Sequence, residues 1–136
     1  MAGELFIVIV EGPCFGRNVL CRALASWGYA YFLAEDEAAA WSAVTAVRGP
    51  TVVLADWQVD FMECEKFFLR IRRQQDLGQI HLMGAIPRGA PGAIRQCVRA
   101  GADDVVSVPY DLDEVRLRLH TARKLLGLSP GGAVFS

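Results

Sequence analysis

The sequence has no hydrophobic run long enough to cross a membrane. Its longest early run, Leu5–Val10, is six residues, against the ~20 that a spanning helix needs. The basic flank and cleavage pattern of a signal peptide are also missing, so a cytoplasmic location is expected. Cysteine and histidine are scarce. The four cysteines (Cys14, Cys21, Cys64, Cys97) form no C-x-x-C, and the two histidines (His81, His120) have no metal-ligand spacing. Neither a zinc site nor a disulfide framework is expected, and buried reduced thiols are the default. A hydrophobic content of 53% with 21% charged residues excludes a disordered chain. At 136 residues the chain has the length of one domain.

Net charge is nearly absent too, at −1, but that balance hides two halves. Residues 1–65 hold three basic side chains (Arg17, Arg22, Arg48) and nine acidic ones, a balance of −6. Residues 66–136 hold eleven basic and six acidic ones, a balance of +5. A general affinity for nucleic acid or membrane is not expected, while a local basic face is.

Five β-type runs are present: Leu5–Val10, Tyr29–Leu33, Thr51–Ala55, Ile80–Ala85 and Asp104–Val108. Unbroken apolar runs suit parallel strands covered on both faces. Between them lie helical patterns. Val19, Leu20, Ala23, Leu24 and Trp27 form one stripe, stopped by Gly28. Ala40, Trp41, Val44 and Val47 form the next, stopped by Gly49-Pro50. Phe67, Phe68 and Ile71 mark the third; Ile94, Cys97 and Val98 mark the fourth, ended by Gly101. The fifth opens at Asp111, with Glu114 in position for a capping box. A fivefold β-α order predicts an α/β fold with a single doubly wound, five-stranded parallel sheet over residues 1–126, followed by a linker or tail at 127–136.

Sites in such sheets lie at the carboxyl ends of the strands. Here these are Glu11-Gly12, Ala34-Glu35, Asp56-Trp57, Gly84–Pro87 and Val108-Pro109. Asp56 ends a buried-type strand, which suits either a helix-capping acid or a nucleophilic or metal-binding carboxylate. Glu11 ends the first strand and should lie near it. Two carboxylates there repel unless a cation or a proton intervenes.

The chain resembles the receiver domain of two-component response regulators, the CheY-like family, over residues 5–126. The matching stretches are Ile7-Val8-Ile9-Val10-Glu11 with Pro13 and Arg17, then Val53-Leu54-Ala55-Asp56-Trp57. Ala100-Gly101-Ala102-Asp103-Asp104 and Val108-Pro109-Tyr110-Asp111-Leu112-Asp113-Glu114 complete them. The resemblance implies a (βα)5 flavodoxin-like receiver architecture, a signalling module rather than an enzyme. It also implies a phosphoacceptor at Asp56, fed by a histidine kinase with Mg²⁺ help. Glu11, Asp56 and the Gln58 backbone carbonyl match metal ligands.

The chain departs from that pattern at most of the chemical positions. The family's second acid after the first strand, a direct Mg²⁺ ligand, is Gly12. The Ser or Thr ending the fourth strand is Gly84. The Lys before the Pro is Val108, and the aromatic switch three residues earlier is Val105. The Met-Pro after the acceptor reads Val59-Asp60. Phosphoryl transfer depends on positioned charge and donors. Losing one such contact typically costs about 3 kcal/mol. A receiver-like interaction module without normal Asp phosphorylation is therefore expected, with no cofactor or only weakly bound Mg²⁺. Two alternatives stand beside it: a working phosphoacceptor at Asp56, and a small-ligand binder using room opened at Gly12 and Gly84.

The resemblance also gives the basic half a place. In receivers the fourth helix, fifth strand and fifth helix form the usual dimerisation and output surface, and Arg95, Arg99, Arg116 and Arg118 fall there. Arg70, Arg72, Arg73, Arg123 and Lys124 add charge to the third and fifth helices. A protein partner, an output domain or a second copy pairing charges across a two-fold axis would suit such a face. Ordinary solvated helix faces would also explain the charges. Nucleic-acid binding is not expected, since no helix-turn-helix pattern or aromatic interleaving is present. Cys14 is read as an inert thiol, His81 as a packed residue and Trp57 as partly exposed.

Overall fold

In the computed structural model, residues 5–74, 76–77 and 79–128 are described. The elements run β1 (Phe6–Val10), α1 (Phe15–Ser26), β2 (Ala30–Ala34), α2 (Glu37–Ala46), β3 (Thr51–Asp56), α3 (Cys64–Arg73), β4 (Ile80–Pro87), α4 (Pro91–Arg99), β5 (Asp104–Val108) and α5 (Leu112–Leu125). All strand pairs are parallel, in the order β2-β1-β3-β4-β5. This is the doubly wound five-stranded sheet that the β-α alternation predicts.

Alternate strand residues point to opposite faces, so a continuous apolar run feeds two cores. Val8, Val10, Val53, Ala55, Leu82 and Ile86 pack against Ala40 and Val44 of α2, Phe67, Phe68 and Ile71 of α3 and Cys97 of α4. Ile7, Ile9, Val52, Leu54, Met83 and Val106 pack against Leu20 and Leu24 of α1 and Val115, Leu119 and Ala122 of α5. β2 departs from the expected two-sided burial: Ala30 and Phe32 are exposed. It is the sheet's edge, with only β1 beside it. β4 runs two residues past its expected end because Pro87 still pairs with Val108. A proline at a strand end gives up no ladder donor that the sheet needs.

The caps are local and specific. Cys14 Sγ accepts from Arg17 N at 3.3 Å and opens α1, while Asp36 Oδ1 accepts from Ala39 N at 2.7 Å and opens α2. Asp111 Oδ1 accepts from Asp113 N at 3.0 Å at the start of α5. The second half of the expected capping box does not form there. Glu114 Oε1 instead accepts from Ser107 N at 2.7 Å, tying α5 to β5. Of the tail expected at 127–136, Leu128 packs half-buried against the α1–α5 core, and 129–136 lie outside the described residues. No helix among the described residues is long and apolar enough to cross a membrane.

The Gly-Ala-Asp-Asp run serves the fold. Arg72 of α3 donates through Nε to Gly101 O at 2.9 Å, through Nη1 to Ile80 O at 3.1 Å, and through Nη2 to Asp103 Oδ2. Asp103 Oδ2 also accepts from Leu82 N at 2.8 Å. One guanidinium thus clamps α3, β4 and the α4–β5 loop together. His81 is buried 3.8 Å from the same carboxylate, and burial pushes its pKa down. Gly101 is obligatory: its φ is +97, and a Cβ there would meet Arg72 Cγ at 2.8 Å. Gly101→Ala should destabilise the domain by about 1–3 kcal/mol, read as a lowered urea midpoint. An unchanged midpoint would refute the clamp.

Candidate functional site

Asp56 is the last residue of β3, and Glu11 follows β1, the neighbouring strand, so the sheet brings the two carboxylates to one end. They sit in unlike surroundings. Asp56 is half-buried, and its Oδ1 accepts from Gln58 N at 3.1 Å. Glu11 is 4% exposed. Its Oε1 accepts from the Tyr110 hydroxyl at 2.8 Å, and its Oε2 from the Cys14 thiol at 3.4 Å. Arg17 Nη1 donates to Glu11 O at 3.2 Å and lies 3.5 Å from Glu35 Oε1. Burial pushes the Glu11 pKa up and the Asp56 charge adds to it, while the Tyr110 and Cys14 hydrogen bonds and Arg17 pull it back without cancelling it. Burial, followed by the Glu11 charge, likewise drives the Tyr110 phenol well above its ordinary range.

A divalent cation fits this donor set poorly. Both Glu11 oxygens already accept internal hydrogen bonds, and Gly12 brings no ligand atom to the open space around it. No group of three or more His, Cys, Asp or Glu among the described residues is placed to hold a metal. Asp56 and the Gln58 carbonyl remain, both near solvent.

The space at Gly84 is not vacant. A Cβ there would lie 2.4 Å from Cys97 Sγ and 3.5 Å from Trp57 Cε3. The Cys97 thiol of α4 and the Trp57 indole fill the place that a larger side chain at position 84 would need. Burial raises the Cys97 thiol to about 11 and the Cys64 thiol to about 12, so both stay protonated. Cys64 Sγ donates to Asp56 O at 3.3 Å. Trp57 Nε1 donates to Gln96 Oε1 of α4 at 2.7 Å, and its ring meets Phe68 edge-on at 5.2 Å. Val105 pairs with Gly84 across the sheet and packs on the α2–α4 core, and Val108 ends β5 half-buried. Neither offers a charge or a hydroxyl.

The arginines expected on one interaction face divide. Arg95 and Arg99 are exposed on α4. Arg118 Nε lies 3.6 Å from Asp104 Oδ2. Arg116 is a correction: its guanidinium sits over the ring of Trp27, the residue that ends α1, at 5.2 Å. Arg123 is fully buried next to Tyr29, so it adds nothing to a surface. A second correction concerns α4. Ile94 and Val98, expected in its buried stripe, are 43% and 61% exposed, because only Ala93, Cys97 and Ala100 face inward there. The sequence reading missed the Tyr110–Glu11 bond altogether. Its one signal was a phenol directly after Pro109, at a strand end facing the acids.

No family model matches the sequence, and no curated protein matches it. Solved structures do match its shape. The receiver domain of the TMAO respiratory system response regulator TorR superimposes with a TM-score of 0.79 at 18% identity, covering 89% of this chain and 98% of that one. The receiver domain of the sensor histidine kinase PA1611 from Pseudomonas aeruginosa, with magnesium in its active-site cleft, gives 0.74 at 20% identity, covering 92% and 98%. The receiver domain of Ssk1 from Saccharomyces cerevisiae, crystallised with the phosphotransfer protein Ypd1, gives 0.76 at 13%, covering 96% and 94%. The chain has the CheY-like receiver fold.

Two outcomes follow from the site. Gly84→Ser should cost about 1–3 kcal/mol through overpacking. Adding Cys97→Ala should recover part of that loss, with a coupling energy of about 1 kcal/mol in a double-mutant cycle; strictly additive losses would show that the thiol is no obstacle. Because the native Glu11 pKa lies above 4.5, the folded state holds a proton that the unfolded state has released between 4.5 and that raised value. Stability therefore falls as pH rises through this window. Glu11→Gln should flatten the fall, measured by urea unfolding from pH 4.5 to about 8.

Proposed function

We propose that this domain is an atypical receiver: a signalling and protein-interaction module that works without phosphorylation of Asp56. The observation that carries the reading is that the protein's own atoms take the place a side chain at position 84 would need. Cys97 Sγ and Trp57 fill the space at Gly84, where the family's hydroxyl would grip a phosphoryl group. Glu11 accepts hydrogen bonds from Tyr110 and Cys14, and Val108 supplies no ammonium. Each missing contact typically costs about 3 kcal/mol of transition-state stabilisation. The losses overlap, but together they leave transfer from a phosphodonor very slow.

The interaction surface in this reading is the α4–β5–α5 side. Ile94 and Val98 stand exposed one turn apart on α4, flanked by Arg95 and Arg99, and Leu117 is half exposed on α5. Apolar residues ringed by charge suit a protein partner, an output domain or a second copy of the chain. A homodimer through this side is the form we favour. A histidine kinase or phosphotransfer protein, as Ypd1 is for Ssk1, belongs to the second reading, a working phosphoacceptor. That reading rests on Asp56, whose carboxylate still stands partly open at the end of β3.

Incubation with acetyl phosphate and Mg²⁺ separates the two. The proposed module shows no mass gain. A gain of one phosphate that is lost in Asp56→Asn would establish the phosphoacceptor and sink the proposal. Light scattering tests the surface: a dimer is expected that weakens in Arg95→Glu/Val98→Asp, and a monomer at every protein concentration would remove it.

A further inference from the structure

Beside the acidic strand ends, and separate from them, lies a cavity of about 460 Å³ lined by Trp57, Met62, Glu63, Cys64, Glu65, Lys66 and Gln96. It opens between the first turn of α3 and the outer side of α4. We propose that it is a binding site for a small, flat aromatic ammonium compound, and that this ligand is the input that replaces phosphate. The input part rests on the reading that Asp56 is not phosphorylated.

The lining chemistry sets the class. One wall is the Trp57 indole with the Met62 thioether, a surface that takes a flat aromatic ring. The indole N–H is already donated to Gln96 Oε1 at 2.7 Å. That bond fixes the amide, so the Gln96 Nε2 donors are turned to the other side. Of the charged groups, Lys66 pairs with Glu63 at 3.2 Å, and among the described residues the Glu65 carboxylate has no salt-bridge partner. The cavity thus carries one unbalanced negative charge, which favours an ammonium and disfavours a carboxylate or phosphate. The Cys64 thiol stays protonated at a pKa pushed up to about 12, so it meets a ligand as a small apolar wall.

The position supplies the consequence. Asp56, Trp57 and Cys64 hold the β3–α3 segment together through the Cys64–Asp56 and Trp57–Gln96 bonds, and Gln96 belongs to α4. A ligand wedged against Trp57 and Gln96 bears on α4, the helix that displays Ile94, Arg95, Val98 and Arg99. Only a ligand with unequal affinity for two placements of α4 shifts the surface, and the Trp57–Gln96 bond is the contact that the ligand would strengthen or break.

The test uses tryptamine on the full chain, followed by ¹H–¹⁵N spectra of the indole N–H groups of Trp27, Trp41 and Trp57. The Trp57 signal is assigned by its loss in Trp57→Phe. Saturable movement of that signal alone is expected, with a Kd of about 1 mM or tighter, the range for a fragment of this size. Glu65→Gln should weaken binding about tenfold, the loss of roughly one good polar contact. Indole-3-acetate, the same ring with the opposite charge, should bind at least tenfold more weakly. No saturable shift, an equal shift of all three indoles, or equal binding of indole-3-acetate would overturn the site. A phosphate mass gain on Asp56 in the same preparation would instead overturn the reading that the input role rests on, while leaving the tryptamine measurement to decide the site itself.

Discussion

A buried carboxylate has to be compensated, and in this domain the compensation is built from the chain itself. Glu11 sits at the carboxyl end of β1 with 4% exposure, where a bare charge would be costly. The Tyr110 hydroxyl and Cys14 thiol bind its two oxygens, and Arg17 holds its backbone carbonyl. These partners come from the start of α1 and from the β5–α5 connection, 99 residues from Glu11 in the case of Tyr110. The acid end of the sheet is therefore closed by hydrogen bonds that reach across the fold. A metal ion would share these oxygens with hydrogen bonds already in place.

The same economy of space governs the other side of Asp56. Gly84, Cys97 and Trp57 form one packed unit, in which the missing side chain at 84 and the thiol at 97 need each other. A switch requires a group with two places to go, each with its own contacts. Here the space for a moving hydroxyl is filled, and Val105 has no polar end to follow it. The strand ends meet α4 through the Gly84–Cys97 packing and through the hydrogen bond from Trp57 to Gln96.

The fold was legible because its signal is long-range in the sequence and simple in physics. Two-faced burial of β1, β3 and β4 demands continuous apolar runs such as Ile7–Val10, and helices between them demand stripes such as Leu20, Ala23 and Leu24. The positions of Asp56 and Glu11 followed from the strand-end rule. What stayed hidden depends on which of two equally plausible directions a side chain takes. Ile94 and Val98 have the spacing of a buried stripe but face outward, because α4 touches the core through Cys97 and small alanines. Arg123 reads as surface charge and is buried; Arg116 reads as part of the α4 side and lies over Trp27. Glu114 has capping-box spacing, yet its carboxylate accepts from Ser107 N of β5. Periodicity counts positions, and it does not say which partner is closest.

The division of charge between the two halves takes on a different meaning once the partners are known. Much of the positive half is committed internally: Arg72 to the α3–β4 clamp, Arg118 to Asp104, Arg116 to Trp27, and Arg70 to Trp41 and Glu37. Arg95 and Arg99 stand exposed on α4, next to exposed apolar side chains. Exposed charges of this kind are screened over about 8 Å at physiological salt, so in the proposed interaction they would act on a partner only at short range. In that proposed interaction the affinity would come from burying Ile94 and Val98. The proposed surface would suit a partner that brings an apolar patch with acids at its margin, and part of the charge asymmetry visible in the sequence goes into holding the fold together.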